Sequence, residues 1–434
     1  MTIRIRKRGQ AEWLLSYVLL VGMLQGGLID FLHIPSVIKY TIDLAWIFVV
    51  ILMRAKQIVL VNKDIYLLYV IAGLFFIFSL FGFALNYQSA LYYLWGLRNN
   101  IRFFVFFIAC TVVLNEEWIE GYLDTFDKLF WLNFPIVLYQ YFIGGNHGDK
   151  LGGIFGETKG CNAYMNIFLI IVLSKSILGY LHKKEKLSLC ILKCLIGLTI
   201  AVLSELKVVI VEFVIIVAMA SMMMRFSMRK LLLMIGAFLG ILLSVRAISV
   251  LFPSFDGWFS INGILEILTS ESGYTGQNDL NRLTAVPVVL ERFLPHLMDK
   301  IVGLGLGNCD YATFDFLQTP FYQSHKSIHY YWFSSAFLLL ETGLLGFALF
   351  LIFFLTSFLT THLREKTGQS NVVYCQMAKI MAMTSIITVF YNAALRTEAG
   401  YMAFFILALP FTQKNKVTEI HPKKLSTEGM ISNE

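Results

Sequence analysis

The stretch GLGLGNCDYATFDFLQTPFYQSHKSIHYYWFSSAFLLLETGLLG, residues 303–346, places a glycine cluster and a polar, aromatic segment directly before a long apolar run. The run extends over residues 330–361. A hydrocarbon core roughly 30 Å thick is crossed by about 20 apolar residues, so the run is long enough to span a membrane. The preceding segment carries His325 and His329, and the run itself contains Glu341 and Gly343. The pattern predicts a membrane-spanning helix with a polar site near its N-terminal end.

The composition extends this interpretation to the whole chain. Hydrophobic residues make up 57% of the sequence and charged residues 15%, and the mean hydropathy is +0.70. These values exceed what a soluble domain needs to fill one core, so they predict a polytopic membrane protein. The net charge of +7 is attributed first to membrane orientation, and no nucleic-acid partner is expected. The six cysteines show no metal-ligand spacing, so neither a metal nor a cofactor is predicted.

Other apolar segments follow along the chain at membrane-spanning length. We expect an all-α polytopic transmembrane bundle of about twelve helices, forming one integral membrane domain over residues 1–434. The predicted segments are 12–32, 37–53, 65–85, 93–114, 124–143, 162–181, 187–203, 208–224, 231–252, 330–361, 375–393 and 398–413.

Basic residues set the predicted orientation. If the N-terminal cluster is cytoplasmic, alternation of the segments puts every other large basic cluster on the same side, as the positive-inside rule requires. An even number of helices then leaves both termini in the cytoplasm, with residues 414–434 as a cytoplasmic tail. The clusters are Arg4/Arg6/Lys7/Arg8, Arg54/Lys56/Lys63, Lys183/Lys184/Lys186, Arg225/Arg229/Lys230, Arg364/Lys366 and Lys414/Lys416/Lys423/Lys424.

Several basic residues remain on the predicted outer side, where orientation does not need them. A charged group at the membrane boundary is costly unless it is paired, so each is a candidate for a functional site. The alternatives are snorkelling to lipid headgroups or a structural ion pair with Glu205, Asp279, Glu341 or Glu398. The residues concerned are Arg98, Arg102, Lys207, Arg246, Arg282, Arg292 and Arg396.

The largest predicted outer segment is residues 253–328, and we expect it to carry short amphipathic helices. Apolar residues recur at helical spacing over residues 282–301, which predicts a helix lying on the membrane surface. Pro287 and Pro295 indicate that this helix is short or broken. The alternating glycines that follow, from Gly303 to Gly307, suit a tight turn whose backbone N–H groups could bind an anion.

Four features follow one another in this region: an early arginine in DLNRLTAVP (279–287), the turn GLGLGN (303–308), a histidine before a membrane helix, and the run ETGLLG (341–346). In this order they resemble the pattern of the O-antigen polymerase and ligase superfamily of membrane proteins. GGIFGETKGCNAY (152–164) and SELK (204–207) are similar to further family segments. The resemblance covers roughly the second two thirds of the chain.

The resemblance implies a metal-independent glycosyltransferase whose donor is an undecaprenyl-pyrophosphate-linked sugar chain. Without a metal, fixed cations must stabilise the leaving pyrophosphate, and arginine binds phosphate oxygens in two places. Arg282 is the first candidate and Lys207 the second, followed by Arg98, Arg102 and Arg246. His329 and His325 are candidates for the base that activates the acceptor hydroxyl, with Arg282 as a further catalytic residue. The alternative for these histidines is a place in the interfacial aromatic belt.

The function that follows is polymerisation of lipid-linked oligosaccharide repeat units on the outer face of the bacterial cytoplasmic membrane, for a capsule, an exopolysaccharide or an O-antigen. The expected partners are the lipid-linked oligosaccharide, membrane lipids, and a flippase and chain-length regulator of the same pathway. A ligase that transfers the finished glycan is the alternative within the family. A twelve-helix flippase or transporter is the alternative from another class, and it predicts internal symmetry that the sequence does not show.

Overall fold

Twelve long helices account for most of the chain in a computed structural model, which describes residues 9–55, 65–251, 279–282, 284–312 and 314–412. Each of the twelve predicted segments overlaps one of these helices, and the described residues contain no β-strand. The long helices are α1 (Gln10–Leu32), α2 (Ile38–Ala55), α3 (Tyr66–Leu85), α4 (Ala90–Val113), α5 (Glu116–Phe142), α6 (Asn162–Leu181), α7 (Leu187–Leu203), α8 (Lys207–Met222), α9 (Met228–Leu251), α13 (Ser334–Lys366), α14 (Val372–Tyr391) and α15 (Gly400–Ala408).

The short helices lie between α9 and α13. They are α10 (Ala285–Val288), α11 (Leu297–Val302) and α12 (Pro320–His325). The predicted surface helix over residues 282–301 is therefore broken: a π-helical turn, Val289–Phe293, extends α10, and the chain leaves helical geometry at Leu294, directly before Pro295. Proline has no N–H to continue a helix and clashes with the preceding turn, which explains the position of the break.

The prediction of an all-α fold is confirmed for the described residues, and their long apolar helices are those expected of a membrane protein. Seven of the described helices are long and apolar enough to cross a membrane. The prediction of about twelve crossings is not established by these seven, and it stays a prediction. The N-terminal basic cluster, Lys56, Lys63, residues 253–278 of the large loop and the tail 414–434 lie outside the described residues. The seven are α1, α3, α4, α6, the part of α9 over Met228–Ala247, α13 and α14.

Helix α6 lies at the centre of the bundle, where it packs against α5, α7, α8 and α14. Almost all of its side chains are buried, which is expected of a helix that is apolar on every face. A phenylalanine cluster joins three other helices: the ring of Phe353 on α13 lies 5.0 Å from Phe104 on α4 and 5.6 Å from Phe404 on α15. Aromatic pairs at this spacing add to the burial of apolar area. The core therefore fixes α4 against α13 and α15.

Contacts between connecting segments define two ends of the bundle. At one end, named here the site end, Asp30 at the foot of α1 accepts backbone N–H bonds from Glu157 and Thr158. At the same end the Asn86 side chain after α3 donates to the carbonyl of Gly303. At the opposite end, Lys193 on α7 contacts Glu185 in the connection before that helix.

Candidate functional site

A cavity of about 270 Å³ opens at the site end, between α2, α4 and the segments 310–312 and 393–398. Three arginines and Lys39 line it together with two carboxylates and four aromatic side chains. We call it the arginine cavity, defined by Arg98, Arg102, Arg396, Asp310, Glu398, Tyr40, Trp95, Tyr311 and Tyr331.

Arg98 is held at the mouth of the cavity by α2. Its Nη2 and Nε lie 2.6 and 2.9 Å from the same carboxylate oxygen of Asp43. The guanidinium also lies over the rings of Tyr40 and Trp95, at 5.6 and 4.9 Å from the ring centroids. Cation–π contacts of this kind hold a guanidinium flat against an aromatic wall. Asp43 and the two aromatic rings therefore hold the Arg98 guanidinium in place beside the cavity.

Arg102 lies one turn further along α4 and pairs with Glu398, at 3.1 Å, while its side chain is only 4% exposed. The second carboxylate oxygen of Glu398 accepts a hydrogen bond of 2.9 Å from the Tyr164 hydroxyl. Although burial opposes it, the Arg102 guanidinium lowers the pKa of Glu398 to about 2. Glu398 is therefore ionised throughout the physiological range, and the ion-pair alternative considered for Arg102 is the one observed.

Arg396 differs from the other two arginines in its partners. It ends the turn Ala394–Arg396 and lies over the ring of Phe337. Among the described residues no carboxylate oxygen lies within 4.0 Å of it, and its buried Nη1 has no hydrogen-bond partner. Burial lowers the pKa of Arg396 to about 10, against the opposing charges of Asp310 and Glu341. The group stays protonated at neutral pH, but its charge is only partly compensated.

A glycine turn, residues 303–307, precedes the segment 310–312 that lines the cavity. Gly303, Gly305 and Gly307 have φ values of 75°, 98° and 85°, in the left-handed region that glycine adopts without a steric penalty. Helix α13 breaks at Gly343, where φ is 62°. Because of this break, the carbonyl groups of Leu340 and Glu341 on α13 accept hydrogen bonds from the glycine turn instead of from later residues of the helix.

Several hydrogen bonds of this turn are made to α13. The N–H groups of Leu304 and Gly305 donate to the carbonyls of Leu340 and Glu341, at 2.7 and 3.1 Å. The Cys309 N–H donates to the Glu341 carboxylate at 3.1 Å. The anion-binding turn predicted from the glycines therefore binds the protein's own carboxylate, and this anchors the residue that follows Cys309, Asp310.

Asp310 reaches the cavity from this anchored turn. One of its carboxylate oxygens accepts from the Asn99 side chain at 2.5 Å, and the other accepts from the Tyr311 backbone N–H at 2.8 Å. Burial raises the pKa of the Asp310 carboxyl, while Arg396 and the hydrogen bond from Asn99 act in the opposite direction.

Arg282 and Lys207, the first two candidates from the sequence, lie next to the arginine cavity and do not line it. The Nε of Arg282 donates to the Tyr391 carbonyl at 2.9 Å, and its guanidinium lies over the Tyr391 ring at 4.2 Å. Lys207 begins α8 and lies within electrostatic range of Glu205 and Arg282. Because Ala393, two residues beyond Tyr391, lines the cavity, the two groups of cations are neighbours.

The two histidines have different surroundings. His329, which has a φ of 55°, stacks on Trp332 with ring centroids 3.9 Å apart, and its Nδ1 lies 3.9 Å from Asp279. Burial lowers its pKa, although Asp279 acts in the opposite direction. His329 contacts the ring of Tyr331 at 6.1 Å between centroids, and it does not line the cavity.

His325 packs against Phe321 within the segment between α11 and α13. Its Nδ1 bonds the Phe321 carbonyl at 3.0 Å, and its ring stacks on Phe321 at 4.5 Å. A 3₁₀ turn, Lys326–Ile328, separates it from His329, so the two histidines do not continue one helix. The remaining candidate, Arg246, is exposed on α9 and does not line the arginine cavity.

The structure thus brings Arg98, Arg102 and Arg396, three of the outer basic residues named from the sequence, into one cavity and adds Asp310, which the sequence did not select. Arg396, Asp310 and Glu398 have no motif around them. The available signal was the placement of Arg396 on the predicted outer side and the expectation that a carboxylate such as Glu398 would pair with one of the arginines.

No protein-family model matches this chain, and no curated protein is similar enough to it to count as a match. Within the described part of the chain, no group of three or more His, Cys, Asp or Glu side chains is arranged to hold a metal ion.

Proposed function

We propose that this protein is a glycosyltransferase that joins undecaprenyl-pyrophosphate-linked oligosaccharide repeat units on the outer face of the bacterial cytoplasmic membrane. The observation that carries the proposal is the arginine cavity. Three arginines from two distant parts of the chain, α4 and the turn Ala394–Arg396, line one cavity at one end of a membrane bundle, beside four aromatic rings. A bound diphosphate would account for cations that membrane insertion disfavours.

In the proposed reaction the growing chain leaves its carrier lipid and joins the terminal sugar of a second lipid-linked unit. The acceptor hydroxyl oxygen forms a bond to the anomeric carbon while the bond from that carbon to the diphosphate oxygen breaks. A single displacement inverts the anomeric configuration. Negative charge develops on the diphosphate, and the fixed guanidinium groups of Arg102 and Arg396 stabilise it.

Arginine suits this task because its planar guanidinium donates several N–H bonds and stays charged when buried. The buried Nε of Arg102 and Nη1 of Arg396 have no hydrogen-bond partner. An unpaired buried donor costs about 1–3 kcal/mol, so hydrogen bonds from these groups to phosphate oxygens would offset that cost.

Arg282, Lys207 and His329 remain part of the proposal as neighbours of the cavity. Tyr331 lines the cavity and contacts the ring of His329, and the backbone of Tyr391 binds Arg282. We assign Arg282 and Lys207 to the phosphate groups of a lipid carrier that approaches along this side of the cavity. Aromatic rings in the wall offer stacking surfaces for sugars.

Deletion of the gene, followed by gel analysis of the surface polysaccharide, tests the proposed function. A polymerase predicts loss of long chains while single repeats persist on the cell surface. Long chains that accumulate on the carrier lipid would instead indicate a ligase, and single repeats trapped on the inner leaflet would indicate a flippase. Complementation with the Arg396→Gln, Arg282→Ala and His329→Ala variants then separates the cavity from its neighbours.

A further inference from the structure

Two carboxylates line the arginine cavity, and their environments differ. Glu398 is held in an ion pair with Arg102 at 3.1 Å and accepts a second bond from the Tyr164 hydroxyl. Asp310 accepts only from Asn99 and from the Tyr311 N–H, and in the described part of the chain no basic nitrogen lies within 4.0 Å of it. Glu398 is thus bound to a cation, while Asp310 has neutral donors.

The groups around Asp310 come from several elements. The Asn99 side chain and the Arg102 charge belong to α4, and Glu341 belongs to α13. The remaining titratable groups around Asp310 are Arg396, Cys309 and Tyr330. Burial raises the pKa of Asp310 above the ordinary aspartate value, whereas the pKa of Glu398 is lowered to about 2. When two carboxyl groups of one site are shifted in opposite directions, they are suited to different roles.

Asp310 is also the better placed of the two candidate proton acceptors at the site end. His329 stacks on Trp332, lies beside Asp279 and contacts the ring of Tyr331, but it does not itself line the cavity. Asp310 lines the cavity itself, next to Arg396 and to the rings of Tyr311 and Tyr331. A general base must come within hydrogen-bond reach of the proton that it removes.

We propose that Asp310 is the general base that receives the proton of the acceptor sugar hydroxyl. This rests on the proposed function. As the hydroxyl oxygen bonds to the anomeric carbon, its proton passes to a carboxylate oxygen of Asp310, and the electron pair of the breaking carbon–oxygen bond leaves with the diphosphate. Asn99 orients the carboxylate, and Arg396 lies close enough to Asp310 to couple charge on the base to charge on the leaving group.

The test uses the purified full-length protein in lipid nanodiscs, with lipid-linked repeat units extracted from a strain that lacks the gene. Asp310→Asn should lower kcat at least about 100-fold, the usual contribution of a positioned base. Its binding of undecaprenyl diphosphate, measured separately, should change less than about threefold. Asp315→Asn is the matched control, because Asp315 is an exposed carboxylate five residues away, and it should retain wild-type kcat.

The pH profile identifies the base. Activity of the wild type should fall as the pH drops through the pKa of Asp310, and this acid limb should lie above the ordinary aspartate range of about 3.9. The limb should disappear in Asp310→Asn. Asp310→Glu keeps a carboxylate, so it should keep the limb at a lower kcat, and it serves as the second variant if the asparagine variant does not fold.

Two results would overturn the inference: an Asp310→Asn rate within about tenfold of wild type, or an acid limb that survives in this variant and disappears in His329→Gln. Failure of the proposed function would look different. In that case the wild-type protein would neither bind undecaprenyl diphosphate nor lengthen the extracted units.

Discussion

Two groups of buried charges, one at each end of the bundle, are neutralised differently. At the opposite end, Lys193 lies between Asp127 and Glu185, at 3.1 and 3.2 Å, and Lys175 contacts Asp124 and Asp127. At the site end, Arg98 and Arg102 have one carboxylate partner each, and within the described residues Arg396 has none at ion-pair distance.

This difference in pairing indicates different roles for the lysines of one end and the arginines of the other. A lysine surrounded by two carboxylates holds helices together and has little left to offer a ligand. An arginine with a buried, unpartnered N–H group gives a poorer structural contact. The lysine network is therefore a structural feature of the bundle, whereas the arginine cavity is better explained as a binding site. The following substitutions test this contrast, beginning with the one expected to have the largest effect.

Lys193→Ala should destabilise the protein the most. Lys193 is only 4% exposed, and its loss leaves Asp127 and Glu185 without their shared cation. Removing one partner of a buried pair costs roughly 3–5 kcal/mol, so thermal unfolding in detergent should begin at a clearly lower temperature. The exposed neighbour Lys128 supplies the control, because Lys128→Ala should change the free energy of unfolding by less than about 0.5 kcal/mol. Equal melting temperatures for the two variants would remove the structural role assigned to Lys193.

Arg396→Gln should lower activity strongly and stability only slightly, the reverse of Lys193→Ala. Loss of one fixed donor to the leaving group typically lowers kcat about 100-fold or more, while the melting temperature should fall less than in Lys193→Ala. The measurement is chain formation from extracted lipid-linked units, normalised to folded protein. Near-wild-type chain formation by this variant would contradict the catalytic use of the arginine cavity.

Gly96→Ala should damage the site end through packing alone. A Cβ at Gly96 would lie 2.2 Å from the backbone nitrogen of Gly307, so α4 and the glycine turn would have to separate. Overpacking of this kind costs about 1–3 kcal/mol, and activity should fall with stability. Gly73→Ala on α3 is the matched control, since a Cβ there meets nothing within 4 Å; this variant should be as stable as wild type or slightly more so. Similar behaviour of the two alanine variants would show that the close approach is not needed.

Arg246→Gln should have the smallest effect. Arg246 is exposed and lies outside the cavity, and surface substitutions usually change stability by no more than about 0.5 kcal/mol. Polysaccharide chain length on a gel should match wild type. Shortened chains would return Arg246 to the candidate site and would weaken the contrast between the two ends.

The helices could be predicted from the sequence because membrane-spanning segments are encoded locally, by runs of apolar residues of sufficient length. The break near Pro295 was also predictable, because proline interrupts a helix through its own local geometry. The contents of the arginine cavity were not. Arg102 and Glu398 are 296 positions apart, and nothing in the local sequence of either residue specifies the other.

The histidines illustrate the same limit. The sequence placed His325 and His329 four residues apart and allowed one helix face for both, but the turn Lys326–Ile328 sends them to different surroundings. Arg98 and Arg102 could be selected because they are basic residues on a predicted outer side. Arg396 was identified on the same ground, yet only its position over the ring of Phe337 and within electrostatic range of Asp310 distinguishes it from its neighbours.

Equilibrium binding of labelled undecaprenyl diphosphate to the purified protein in nanodiscs tests the central claim most directly. The arginine cavity predicts saturable binding by the wild type, at least about tenfold weaker binding by Arg396→Gln, since a charge-assisted hydrogen bond is worth roughly 1.5–3 kcal/mol, and unchanged binding by Arg246→Gln. Equal affinity in all three proteins, or no saturable binding to the wild type, would contradict it.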